Sequence, residues 1–187
     1  MDRPVRLGDI MRPEHNSFGV IRLAMALAVL VSHSYFFVTG QGSAEPLHSW
    51  TGHSLGEHAV QVFFFLSGIL VTESLLRSRG VVDFATSRVL RIFPGLIACI
   101  VLTAFLLGPL VSAKPLIAYF TDGALPVYVV KTALLITGAA PLPGVFETLP
   151  AANLFNMSLW TLKYEVICYI GLALLGVTGL LRTSTGR

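Results

Sequence analysis

The sequence predicts an all-α, polytopic transmembrane helical bundle with about four spans plus one interfacial or re-entrant apolar segment, and three observations carry that expectation. Hydrophobic residues make up 54 % of the chain and charged residues only 12 %, more apolar surface than a water-soluble fold can hide. The apolar residues arrive in blocks of about 20, the length that crosses a hydrocarbon core of about 30 Å as a helix. The basic residues gather at the ends of those blocks, where membrane proteins place them. A mean hydropathy of +0.75 agrees. Residues 1–187 are therefore read as a single membrane-embedded domain.

Four blocks read as spans: Phe18 to Val38, Ala59 to Leu76, Ile92 to Val111 and Leu159 to Leu181. A signal peptide is the plain alternative for the first block. Its length, and Arg22 and His33 inside it, argue against that. A fifth apolar stretch, Pro115 to Ile136, is interrupted by Asp122, Gly123, Pro126 and Lys131, so it is assigned to the interface or to a re-entrant turn rather than to a crossing. Ala139 to Asn156 contains Pro141, Pro143, Gly144 and Pro150 and reads as an external loop.

Orientation follows from charge. Arg3, Arg6 and Arg12 precede the first span, and the segment 39–58 has no Lys or Arg. The segment 77–91 carries Arg77, Arg79, Arg88 and Arg91, and Arg182 and Arg187 follow the last span. Basic flanks mark the cytoplasmic side, so a multi-pass protein of the inner membrane with both termini cytoplasmic is expected. The formal charge of +3 forms no basic patch interleaved with aromatics, which excludes nucleic acid as the expected partner. Cys99 and Cys168 lie inside apolar blocks without metal-ligand spacing, so no metal and no bound cofactor are expected.

An ionisable side chain in hydrocarbon is costly, so Arg22 and His33 within one span need an explanation. Eleven positions bring a helix through three turns plus about 20°, so both groups share one face, roughly 16 Å apart along the axis. That face must look into protein. A structural polar seam, with Arg22 snorkelling to the surface, explains the spacing equally well. In the second span Ser67 and Gly68 close the Phe63-Phe64-Phe65-Leu66 run and suit close helix contact. Arg88 and Arg91 share one side of a helical turn before Pro94 and could clamp phosphates. Stop-transfer charge against lipid phosphate is the plainer role. The last span opens with Asn156, Trp160, Tyr164 and Glu165. Trp160 and Tyr164 suit an interfacial belt, whereas Glu165 lies about two turns inside, at a depth similar to His33. A carboxylate beside an imidazole can orient it and hold its proton, as a general base requires.

These motifs taken in order resemble the membrane-bound acyltransferase 3 family, which includes O-acetyltransferases of O-antigen and exopolysaccharide. They are Asn16-x-Phe18-Gly19-x-Ile21-Arg22-Leu23 leading to Ser32-His33-Ser34, Val62 to Gly68, Arg88-x-x-Arg91-x-x-Pro94, and Asn156-x-Ser158-Leu159-Trp160-Thr161-Leu162-x-x-Glu165. The resemblance implies transfer of an acyl group, usually acetyl, from acyl-coenzyme A as co-substrate to a hydroxyl of a sugar or glycoconjugate. On that implication His33 is the catalytic base with Arg22 as its partner and Glu165 in the catalytic group, Arg88 and Arg91 contact the donor, and Ser67, Asn156 and Trp160 support the site. An alcohol is a weak nucleophile until a base takes its proton. The resemblance covers only the front half of the family pattern, so the chain is expected to be incomplete at its C-terminal side, and a second chain supplying the rear helices is an expected partner. The rival expectations are a non-catalytic membrane scaffold and a proton-coupled transporter component, in which the same polar groups hold helices together or form a relay.

Overall fold

The computed structural model describes residues 17–136 and 140–178 and is predominantly helical, with no strand among the described residues. Among the described residues, four helices are long and apolar enough to cross a membrane: Phe18–Thr39 (α1), Leu55–Arg77 (α2), Val81–Val111 (α3), and a last segment Met157–Val177. In the last segment a 3-10 turn at Met157–Leu159 leads into Trp160–Val177. The chain divides into two compact units, Met1–Ser67 and Gly68–Arg187, so the break falls within α2. Arg3, Arg6, Arg12, Asn16, Arg182 and Arg187 lie outside the described residues.

In the first unit, α1 ends where Gly40 adopts a left-handed φ of 72° and its N–H donates to Phe36 O at 2.8 Å. A 3-10 turn (Gly42–Ala44) and a one-turn helix (His48–Thr51) bring the chain to α2. That helix begins four residues before the Ala59 expected from hydropathy, because Ser54 and Glu57 form a capping box. The Glu57 N–H donates to Ser54 Oγ at 3.1 Å and the Ser54 N–H to Glu57 Oε2 at 2.7 Å.

The second unit is organised by α3, which starts at Val81 rather than Ile92, so that Arg88 and Arg91 belong to the helix itself. Its buried residues include Phe84, Ile92, Leu96, Ile100, Ala104 and Gly108, with half-buried Arg88 between the first two and buried Thr103 beside Ala104. The spacing is a repeat of four. Four residues turn an α-helix through about 400°, so the buried stripe winds by about 40° at each step. Its lower part meets Val71, Leu75 and Tyr169. Its upper part meets Tyr119, Leu125, Tyr128, Leu142 and Val145. One helix thereby serves two separate clusters.

Within the upper cluster α3 widens into a π turn over Leu102–Leu107, which carries Ala104. Tyr119 donates its hydroxyl to Ala104 O at 2.8 Å, satisfying a buried backbone carbonyl in this turn. Gly108 makes room for this contact, since a Cβ there would lie 2.1 Å from Tyr119 Oη.

The stretch Pro115 to Ile136 breaks into Leu116–Phe120 (α4) and Ala124–Ala133 (α5). Ten residues of helix reach about 15 Å, half a hydrocarbon core. Neither piece therefore has the length of a crossing. Lys114 Nζ and Asp122 Oδ2 pair at 2.5 Å, and Asp122 Oδ1 accepts the Ala124 N–H at 2.8 Å. The Lys114 hydrogen bond holds the Asp122 carboxyl below its ordinary range, and the same bond raises Lys114.

The segment expected as an external loop is irregular, yet Ala140, Leu142, Val145 and Ala151 are buried, a correction to a simple loop. Two bonds stitch it to the end of α3: Ser112 Oγ–H to Pro143 O at 2.7 Å and Ala113 N–H to Gly144 O at 2.9 Å. It delivers Asn156 in a left-handed conformation, φ 59° and ψ 39°, which asparagine tolerates better than most residues. The Asn156 Nδ2 faces Thr103 Oγ1 at 2.7 Å, Tyr128 Oη at 3.3 Å and Cys99 Sγ at 3.4 Å. From there the chain enters Trp160–Val177 (α6).

Gly108→Ala is expected to lower stability by about 1–3 kcal/mol, because Tyr119 must give way. Tyr119→Phe in that background should restore part of the loss, making the pair non-additive in thermal unfolding in detergent. Additive losses would remove the steric explanation. Asn156→Ala should cost about 1–3 kcal/mol from the orphaned polar partners. Asn156→Gly, which tolerates the backbone, should recover only the conformational share. Equal midpoints for wild type and Asn156→Ala would show that the amide bonds contribute nothing.

Candidate active site

The candidate residues of the first unit lie on α1. Its less exposed positions are Phe18, Arg22, Met25, Ala28, Val29, Ser32, His33 and Phe36, a stripe of three- and four-residue steps. Arg22 and His33 both belong to it. Leu23, Leu27, Leu30 and Val31 lie more exposed. The helical period thus sets the guanidinium and the imidazole on one side and the large aliphatic side chains on the other. The His33 ring meets Phe37 edge to face at 6.2 Å between centroids. One residue earlier, Ser32 is buried and donates its hydroxyl to Glu45 at 2.6 Å.

The second unit gathers Arg88, Glu165 and Tyr169. Arg88 extends from α3 and donates through Nη2 to Ser74 Oγ at 3.1 Å. Its guanidinium lies 5.7 Å from the centroids of both the Phe84 and Tyr169 rings, favourable positions for a cation over aromatic faces. Tyr169 donates its hydroxyl to Glu165, one turn earlier on α6. The carboxylate, phenol and guanidinium therefore form one continuous group across α6 and α3. Arg91 is exposed, one turn along from Arg88.

Arg88 also borders an open polar groove of about 450 Å³ at the α2–α3 turn, with Ser74, Ser78, Ser87, Arg77, Glu73 and Asp83 on its walls. Glu73 pairs with Arg77, and Asp83 accepts the Arg79 N–H at 3.3 Å. No carboxylate among the described residues pairs with Arg88. Its positive charge is thus met by two neutral hydroxyls, of Ser74 and Ser87, and two rings, and an anion entering the groove would gain a charge-assisted bond.

Of the supporting residues, Asn156 forms the Thr103–Tyr128 contact and Trp160 meets Tyr164 at 5.6 Å between centroids. Ser67 is half-buried on α2. A Cβ on Gly68 would meet no described atom within 4 Å, so the close approach expected at that glycine is not made among the described residues. Ser74, Tyr169 and Glu45 went unread in the sequence. Tyr169 had a signal, standing four residues after Glu165, the spacing of helix neighbours.

Known proteins resemble the chain over most of its length. The model of the acyltransferase 3 family, described as an acyltransferase domain, matches residues 15–186. An "O-acetyl transferase" of Shigella phage Sf6 is 38 % identical over 159 residues, covering 83 % of this chain and 44 % of the relative. "Nodulation protein 10" of Rhizobium leguminosarum bv. viciae is 30 % identical over 172 residues, covering 86 % of this chain and 44 % of the relative. The chain therefore spans somewhat less than half the length of these curated relatives. No solved structure matches. A match that runs from before the Arg22–His33 stripe to beyond Glu165 leaves only the chain's extremities outside it: the protein belongs to the acyltransferase 3 family of membrane proteins.

Proposed function

We propose that the protein transfers an acyl group, acetyl by preference, from acyl-coenzyme A to a hydroxyl of a sugar or glycoconjugate, alone or with helices supplied by a second chain. The observation that carries this reading is the shared stripe of Arg22 and His33 on an otherwise aliphatic helix. Lone polar groups in a span are expensive, and their placement on one side would let neighbouring helices line both of them.

In the proposed step His33 accepts the proton of the acceptor hydroxyl as its oxygen attacks the thioester carbonyl. The C–S bond breaks, the ester forms, and coenzyme A leaves as a thiol after taking back a proton. Arg22, on the same stripe but roughly 16 Å further along the axis, would act as the partner of His33 at a distance from the reacting carbonyl. Arg88, with its charge unmatched by a carboxylate, and Arg91 would hold the donor phosphates at the groove. Glu165 and Tyr169 would fix Arg88 in place, while Trp160, Asn156 and Ser67 would support the surrounding helices. The arginine-rich segment 77–91 and the Lys- and Arg-free segment 39–58 support a cytoplasmic donor side, an opposite acceptor side and cytoplasmic termini in the inner membrane. The printed name of the phage relative supports acetyl as the group moved.

Membranes holding the chain should pass label from radioactive acetyl-coenzyme A to glycan, and His33→Ala should abolish that transfer while leaving insertion intact. Transfer that persists in His33→Ala would end the catalytic role, and a chain that labels no acceptor would favour a scaffold or transporter. Arg88→Lys keeps the charge but loses the planar fork and ring stacking, so the donor KM should rise about tenfold with a smaller change in kcat. An unchanged KM would remove Arg88 from the donor site.

A further inference from the structure

The segment between α1 and α2 holds a buried carboxylate that the reading above does not use. Glu45 is 4 % exposed, although it sits in a short connection where a solvated side chain would be ordinary. Its Oε2 accepts the Ser32 hydroxyl at 2.6 Å and its Oε1 accepts the Leu55 N–H at 2.7 Å. Leu55 is the first residue of α2, so the carboxylate also meets the positive end of a helix. One side chain thus joins a turn of α1, the connecting segment and the start of α2. The fit is close, for a Cβ on Gly56 would lie 2.8 Å from Ser32 Oγ.

We propose that Glu45 is a positioning residue for His33: its carboxylate clasps the connecting segment and the start of α2 to the helix turn that carries His33, setting the imidazole and the mouth by which an acceptor hydroxyl reaches it. The proposal rests on His33 being the base. Removing the carboxylate leaves the Ser32 hydroxyl and the Leu55 N–H without their partner and frees the connecting segment from α1. Glutamine preserves most of the clasp, since its carbonyl can still accept from Leu55 and the Ser32 hydroxyl can turn to accept from its amide.

The test uses the whole chain in membranes with labelled acetyl-coenzyme A and a glycan acceptor. Glu45→Ala should lower kcat about 100-fold, the scale of a small misplacement of a reacting group, with the donor KM unchanged. Glu45→Gln should recover most of the rate. Wild-type kcat in Glu45→Ala, an equal loss in Glu45→Ala and Glu45→Gln, or a loss expressed in the donor KM would each overturn the proposal. If His33→Ala abolishes transfer while Glu45→Ala does not, this inference fails and the functional reading stands. A second arm needs no turnover: a cysteine placed by His33→Cys should react with a water-soluble maleimide about tenfold faster when combined with Glu45→Ala, as local opening becomes populated. Each rate is corrected for Cys99 and Cys168 by a parent that keeps His33. Equal rates with and without Glu45 would overturn the clasp even in a chain that transfers nothing.

Discussion

Hydrocarbon offers a polar group neither water nor a hydrogen-bonding neighbour, so each such group carried into a span must find its partner in the protein. That constraint accounts for four polar pairings among the described residues. Ser32 turns to Glu45, Arg88 to Ser74 and two ring faces, Tyr169 to Glu165, and Asn156 to Thr103. Lipid tails are as apolar as leucine, so helices gain little by hiding aliphatic surface from them. What distinguishes one packing of these helices from another is then the polar contacts together with close fits such as Tyr119 against Gly108.

The four candidate spans, their order and the broken helical character of residues 115–136 were legible because length, hydropathy and the interrupting Asp122, Gly123 and Pro126 decide them. The shared face of Arg22 and His33 was legible for the same kind of reason, since helix period converts spacing into direction. Boundaries read less well where hydrogen bonding overrides hydropathy. The Ser54–Glu57 box starts α2 in a polar stretch, and the polar, arginine-bearing turns from Val81 onward belong to the same helix as the apolar block.

The candidate site was legible in its charged members and opaque in their neutral partners. A serine such as Ser74 carries no mark in the sequence of which arginine it will meet fourteen positions later. Glu45 was passed over because an acid in a connecting segment is ordinarily solvated, and only the fold shows it buried. The irregular stretch after α5 was read from its prolines and glycines, which report the absence of a helix and say nothing about whether the segment enters a core.

The winding stripe of α3 has a mechanical corollary. Because Phe84 and Ala104 are gripped by different neighbours on nearly opposite sides of the rod, α3 cannot roll about its axis to loosen one grip without driving the other into its neighbours. The upper grip, at the π turn, sits beside Thr103, whose hydroxyl receives the Asn156 amide at the entrance to α6, so one rigid rod ties the groove to the turn that starts the last span.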